Sequence, residues 1–232
     1  RRLRLLRTAG ILVVILLIAW QCSGDDEEPD SARATSSTTA PSANSVVLTP
    51  ASTATAVLSD RQLPAVSSQA GAAPIGGKIL IAGGLGGAKN STKRVWSFDP
   101  VTGLTKSLDP LPEEVHTPAV ASLGDRVLSM GGGKAKRAYD SVVSITASGR
   151  SSAAAKLPLP RTNGAALTSP DGVSVYLVGG HQGDVADKTV LRTTDGKKFE
   201  KVATLLHPSK FPAVAMIASS IWVIGGEFNN AS

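Results

Sequence analysis

The chain has 232 residues, enough for one large domain or two small ones, and is 42% hydrophobic but only 4% aromatic. Its single cysteine, Cys22, rules out an intrachain disulfide, so any domain outside the cytoplasm depends on packing alone. The net charge is +6, yet beyond residue 30 the charges are scattered, with only short clusters such as Lys134-Ala-Lys-Arg137. No basic stripe and no nucleic-acid-binding module is present, so nucleic acid is not expected as a partner.

The N-terminus carries Arg1, Arg2, Arg4 and Arg7, followed by the apolar run Ala9–Trp20, then Gln21, Cys22 and the acids Asp25-Asp-Glu-Glu28. A basic flank before a short apolar core has the layout of a secretory signal or signal-anchor. The uncharged stretch Thr8–Gly24 is close to the ~20 residues that span a bilayer. We therefore expect a basic cytoplasmic flank over residues 1–8 and a transmembrane helix over residues 9–23. The arginines stay cytoplasmic and the rest of the chain is sent across, which makes the protein a single-pass protein of the cell membrane. Cys22 is a candidate for lipidation, because the segment resembles a bacterial lipoprotein signal. Gln21 and Trp20 depart from the small residues that such a signal places before its cysteine. No small-x-small cleavage site follows closely, so an uncleaved anchor is the primary reading.

Residues 24–57 are rich in Ser, Thr, Ala and Pro. Such a segment buries too little apolar surface to offset its ordering entropy and reads as a disordered linker. As a flexible coil it reaches roughly 30 Å. Its Ser/Thr density also suits O-glycosylation.

From residue 58 onward a repeat sets in. Four apolar runs close on a double glycine: Lys78–Gly84, Arg126–Gly132, Val175–Gly180 and Ile221–Gly226. The first glycines, Gly83, Gly131, Gly179 and Gly225, are separated by 48, 48 and 46 residues. A constant period of this length marks an array of supersecondary units. The runs are apolar at nearly every position, which implies strands covered on both faces, and no sustained helical period intervenes. Each unit has a second half. In the first it is Arg94–Gly103 with an Asp99-Pro100-Val-Thr-Gly103 turn, then Leu104–Pro112. The second offers Ser141–Ile145, Ser148-Gly149 and Leu157–Pro160; the third offers Thr189–Thr193, Asp195-Gly196 and Phe199–Val202. Asp and Gly there are turn chemistry, Asp capping through its side chain and Gly accepting positive φ. Four strands per period in a meander make one propeller blade.

These features resemble the Kelch-repeat family over about Leu63 to Asn230. Gly83, Gly84, Phe98, Asp99 and Pro100 match the family pattern in the first repeat. Thr105 stands where the family has Trp, Phe199 substitutes for it in the third repeat, and Ala153 takes the place in the second. The resemblance implies an all-β, Kelch-type β-propeller over residues 58–232, with about four blades of four antiparallel strands. Three and a half repeats do not obviously close a ring, so a larger propeller is expected.

Several chemical motifs fail on inspection. Gly83-Gly-Leu-Gly-Gly-Ala-Lys89 lacks P-loop spacing and no helix follows it. His116, His181 and His207 fall at different offsets of the repeat, so nothing converges them on a metal. Asp184 and Asp187 lack the acidic series of a calcium loop. The copper enzymes related to galactose oxidase share the Kelch fold, but their Cys–Tyr crosslink has no counterpart here, since Tyr139 and Tyr176 have no cysteine to join. No cofactor or metal is therefore expected. Asn90-Ser-Thr92 and Asn230-Ala-Ser232 fit the N-glycosylation acceptor pattern.

The functional expectation is a membrane-tethered, extracytoplasmic binding or scaffolding module for a protein or glycan ligand. Its candidate binding loops follow the double glycines: Leu85–Lys93 with Lys89 and Asn90; Lys134–Tyr139 with Lys134, Lys136, Arg137 and Tyr139; and His181–Asp187 with His181, Gln182, Asp184 and Asp187. They leave equivalent strands and should share one face, where scaffold-presented loops concentrate binding residues. The alternative is a carbohydrate-active enzyme with its site in the propeller mouth, for which Asp184, Asp187 and Glu227 are the visible acids.

Overall fold

The computed structural model describes residue 57 and residues 61–227. The expected cytoplasmic flank, membrane helix, Cys22 and nearly all of the linker lie outside these residues. Among the described residues no helix is long and apolar enough to cross a membrane.

The described part is all-β. Eighteen strands follow one another: β1 (Gly71–Ile75), β2 (Lys78–Ala82), β3 (Val95–Phe98), β4 (Thr105–Ser107), β5 (Ala119–Leu123), β6 (Arg126–Met130), β7 (Gly133–Lys134), β8 (Arg137–Ala138), β9 (Ser141–Thr146), β10 (Ser151–Lys156), β11 (Ala165–Thr168), β12 (Val175–Val178), β13 (His181–Gln182), β14 (Val185–Ala186), β15 (Thr189–Thr193), β16 (Glu200–Thr204), β17 (Ala213–Ile217) and β18 (Ser220–Ile224). They assemble into three four-stranded antiparallel meanders, β1-β2-β3-β4, β5-β6-β9-β10 and β11-β12-β15-β16, and a two-stranded sheet, β17-β18. The expectation of four strands in every blade therefore holds for three sheets. The fourth has two strands among the described residues. Two short ribbons, β7-β8 and β13-β14, project from the second and third meanders.

The first strands of successive sheets lie side by side, β1 against β5, β5 against β11 and β11 against β17, while the fourth strands make no comparable contact. The sheets thus converge at their first strands and fan apart at their fourth, as blades do. Between blades lie apolar layers. One joins Ala73, Leu80, Ala82 and Val95 of the first blade to Val120, Val127, Val143 and Ile145 of the second. The next joins Ala119, Ala121, Leu123, Leu128 and Met130 to Val175, Leu177 and Leu191 of the third. Burial on both faces explains the largely apolar character of β6, where Val127 and Leu128 are fully buried.

The turns obey the chemistry read from the sequence. The Asp99 carboxylate accepts from the N–H groups of Val101 and Thr102 at 2.9 and 3.0 Å, and Gly103 adopts φ 76°. Asp195 accepts from Lys197 and Lys198 at 2.8 and 2.9 Å, beside Gly196 at φ 70°. One assignment shifts. Thr105 pairs with Phe98 in the first blade, and the residue paired at the corresponding place in the second, opposite Ile145, is Ser151 rather than Ala153. The Ser148-Gly149 turn is tighter than the Asp-Pro turn, and a bulge between Ala153 and Ala155 re-aims the strand. Ala154 and Ala155 then face the core, where small side chains stand in place of an aromatic ring.

Candidate functional site

The double glycines are seams between blades. In each pair both residues have positive φ, from 60° to 70° at the first and from 86° to 96° at the second. A Cβ on Gly83, Gly131 or Gly179 would lie 2.6, 2.3 or 2.5 Å from a carbonyl of the segment entering the next blade, that of Val115, Arg161 or Ser209. The same carbonyls accept hydrogen bonds from the N–H groups of Gly84, Gly132 and Gly180, each at 2.8 Å. The second glycine meanwhile crowds the entering segment of its own blade, with Gly132 facing the His116 carbonyl at 2.8 Å. Only glycine offers both the left-handed backbone and the space.

The seams fix where the loops emerge. Leu85, Gly133, His181 and Glu227 each pair through both backbone groups with the entering segment of their own blade, at Ser68, His116, Thr162 and Lys210. The next residue of every entering segment is a non-glycine in the left-handed region: Gln69, Thr117, Asn163 and Phe211, at φ 52–55°. These four are linked in series. Thr117 N–H donates to Gln69 O at 2.7 Å, Asn163 N–H to Thr117 O at 3.4 Å and Phe211 N–H to Asn163 O at 2.9 Å. Four strained residues in register are held by this backbone relay, which aligns the loops on one rim. The opposite rim carries the tight Asp-capped turns.

On the ribbon rim the predicted residues divide. Lys89 sits at the tip of the first loop with φ 57°, and the Asn90 carbonyl accepts from Gly86 N–H at 2.9 Å. Lys134 pairs with Glu114 at 2.6 Å; that contact holds the Glu114 carboxyl below its ordinary range and raises the Lys134 ammonium. Arg137 lies over the Tyr139 ring at 5.4 Å, and Tyr139 packs against the first apolar layer. Asp184 is exposed at the tip of the β13-β14 ribbon. Lys136, Gln182 and Asp187 are brought together, lining one groove of about 730 Å³ between the ribbons of the second and third blades. Its other walls include Leu159, Pro160, Val185 and Lys188, with Leu159 and Val185 exposed. Lys136 and Lys188 enter no ion pair among the described residues.

Histidine and arginine chemistry beneath the rim is structural. His181 Nδ1–H donates to the Gly183 carbonyl at 2.7 Å, which leaves Nε2 to accept from Asn163 Nδ2 at 2.8 Å. His116 Nδ1 contacts Ser91 Oγ at 2.9 Å, and burial lowers its pKa. No group of three or more His, Cys, Asp or Glu residues able to hold a metal occurs among the described residues.

Sequence reading missed the residue that anchors the ribbon of the third blade. Arg161 is 2% exposed and pairs with Asp187 at 2.9 Å, while its Nη1 donates to Gly179 O and Thr189 Oγ1 at 3.1 and 3.2 Å. Burial pulls the guanidinium below its ordinary value and Asp187 opposes that pull. A buried pair of this kind holds geometry more than it adds net stability. No local pattern flags Arg161, because its partners are 18 to 28 residues away.

Residues 67–104 match the family model described as Kelch motif. A solved structure described as "Structure of YjhT" is similar at 18% identity with a TM-score of 0.62. The match covers 72% of this chain and 64% of that one, so this chain spans less than two thirds of its length. That likeness is one of fold. No curated protein matches the chain.

Proposed function

We propose that this chain of Kelch repeats is a protein-binding or scaffolding module that presents its partner site on the ribbon rim. One observation carries the reading: the groove between the ribbons of the second and third blades. It combines an apolar floor from Leu159, Pro160 and Val185 with two ammonium groups, Lys136 and Lys188, that enter no ion pair among the described residues. The ribbons are locked at their base by the seam glycines and Arg161, so a partner meets a pre-formed surface and little ordering cost arises on binding. The opposite rim, by contrast, is built of tight turns among the described residues, with a smaller concavity of about 130 Å³ beside Asp195. An apolar floor flanked by cations suits a protein segment that pairs apolar side chains with carboxylates.

In this proposal the module stands outside the cytoplasm, tethered by residues 9–23 with residues 24–57 as the spacer; support comes from the arginine flank and the composition of those segments. The enzyme reading gains nothing from the geometry, because Asp187, one of its three acids, is held by Arg161 and by Thr189 N–H at 2.6 Å.

The test is photo-crosslinking from position 185 in the full chain on intact cells, with two charge-reversal variants. We expect a discrete protein adduct that K136E/K188E abolishes and that K197E/K198E, on the opposite rim, retains. Adducts that persist in both variants, or glycan-array binding sensitive to K136E/K188E in the absence of any protein adduct, would overturn the assignment.

A further inference from the structure

The residues that open the third strand of each four-stranded blade occupy equivalent places in the repeat. The carbonyls of Arg94, Ser141 and Thr189 accept from the N–H groups of Gly83, Gly131 and Gly179, at 2.8, 2.8 and 3.1 Å. Two residues further on, the equivalents are Trp96, Val143 and Leu191. The second and third blades thus place a small hydroxyl and an aliphatic side chain where the first places arginine and tryptophan. Blade packing requires neither, since two blades do without them. A departure from the repeat that packing does not demand points to a site.

The pair is held in a defined geometry. Trp96 is 4% exposed, and the Arg94 guanidinium lies over its ring at 5.7 Å. Arg94 Nη1 donates to Val66 O at 3.2 Å. Gly86 leaves room beside the guanidinium, since a Cβ there would lie 3.6 and 3.9 Å from Nη1 and Nη2. Stacking uses the face of the guanidinium and leaves its N–H edge for a ligand. Arg94 and Trp96 line a pocket of about 490 Å³ on the first blade, whose walls include Lys93, Ser107, Leu108, Pro110 and Glu114. The far wall is stapled in place: Leu108 N–H donates to Val95 O and Leu111 N–H to Lys93 O, at 2.9 and 2.8 Å. Glu114 is taken by Lys134 at 2.6 Å. Arg94 and Lys93 enter no ion pair among the described residues. The ionic lining is two cations, Lys93 and Arg94, against one anion, Glu114, a net of +1.

We infer that this pocket is a second binding site, which takes a monocarboxylate carried on an apolar body. The planar N–H edge of Arg94 suits the two oxygens of a carboxylate. Lys93 adds charge, Ser107 adds a hydroxyl, and Leu108 and Pro110 receive the apolar body. A phosphate dianion exceeds the net charge of the lining and brings the excess towards Glu114. The volume is that of a small-molecule site. The site shares no residue with the groove between the ribbons of the second and third blades, so it stands whether or not that groove holds a protein.

The experiment follows the Trp96 indole N–H by NMR while phenylacetate is added to the full chain. We expect a saturable shift. Acetate lacks the apolar body, phenylacetamide the charge and inorganic phosphate the planar shape, so each should bind about tenfold more weakly or worse. Arg94→Gln and Lys93→Ala should each weaken phenylacetate about tenfold through the loss of a charge-assisted hydrogen bond. Arg94→Gln also removes the Val66 contact; Lys93→Ala alters only an exposed side chain and decides the matter if the first variant fails to fold. N-acetylphenylalanine, the mimic of a chain terminus, separates the two sources of a carboxylate. Tighter binding than phenylacetate assigns the end of a polypeptide, and equal or weaker binding assigns a free acid. The inference is overturned by the absence of a saturable shift, by phosphate or phenylacetamide binding as well as phenylacetate, or by parental affinity in both variants. Loss of crosslinking from position 185 with phenylacetate binding intact counts against the proposed function alone.

Discussion

At the residue scale, the double glycines do two jobs at once. The first must leave space for a neighbouring blade's carbonyl, and the second must direct its N–H to that same carbonyl. The crowding at each pair is thus supplied by the adjacent blade. Adding a Cβ at Gly131 or Gly179 costs about 1–2 kcal/mol for the left-handed backbone and about 1–3 kcal/mol more for overlap with backbone that cannot swing aside. Gly225→Ala carries only the first cost, because open space surrounds it. Urea denaturation should therefore rank Gly131→Ala and Gly179→Ala well below Gly225→Ala in midpoint. Equal losses at all three would mean that φ alone accounts for the conservation of the pattern along the chain.

At the element scale, the hairpins are pinned by carboxylates that accept several hydrogen bonds each. Asp99 and Asp195 are held below the ordinary carboxylate pKa chiefly by backbone N–H groups, and Asp171 chiefly by the Ser169 hydroxyl, then by Val173 N–H. A depressed folded-state pKa means that the unfolded chain binds protons first as pH falls. The associated stability is present above the ordinary carboxylate value and is lost as pH drops through the folded value. Asp171 and Asp195 are exposed and Asp99 is partly exposed, so each effect is small. The triple variant D99N/D171N/D195N keeps acceptors but removes titration, and its denaturation midpoint should vary less between pH 5 and pH 2 than that of the parent. An unchanged acid limb would show that other groups dominate it. The Asp99 and Asp195 turns were legible because their chemistry is local: Asp with Pro or Gly within a few residues. The second strand of each sheet was legible for the same reason, ending on a double glycine. The displaced aromatic position was not, since Ser151 faces Ile145 only because of a tighter turn and a downstream bulge. The fourth sheet also departs from expectation, because the apolar run of β18 carries Trp222 and Ile224 on an exposed face.

At the scale of the whole array, one geometric unit is repeated and the functional surface follows from the repetition. Each seam sets the angle of the next blade, each entering segment carries one left-handed residue, and each ribbon leaves from the same side. The sequence therefore disclosed which loops share a rim. It did not disclose which of them combine into a groove, because Lys136 and Gln182 meet only through the angle between two blades. Arg161 and the Gln69–Thr117–Asn163–Phe211 relay were hidden likewise, since the relay's bonds cross repeat boundaries and the Arg161 side chain bonds to residues 18 to 28 positions away.

Native-state amide hydrogen exchange, resolved at single glycines, tests the seam directly. Gly84, Gly132 and Gly180 each donate across a blade boundary, although they sit in loop-like sequence. Their amides should exchange only through global unfolding, as slowly as those of the buried strand β6, while Gly226 exchanges fast. Fast exchange at Gly84, Gly132 and Gly180, at rates typical of the exposed ribbon tips, would contradict blade-to-blade bonding and with it the shared rim.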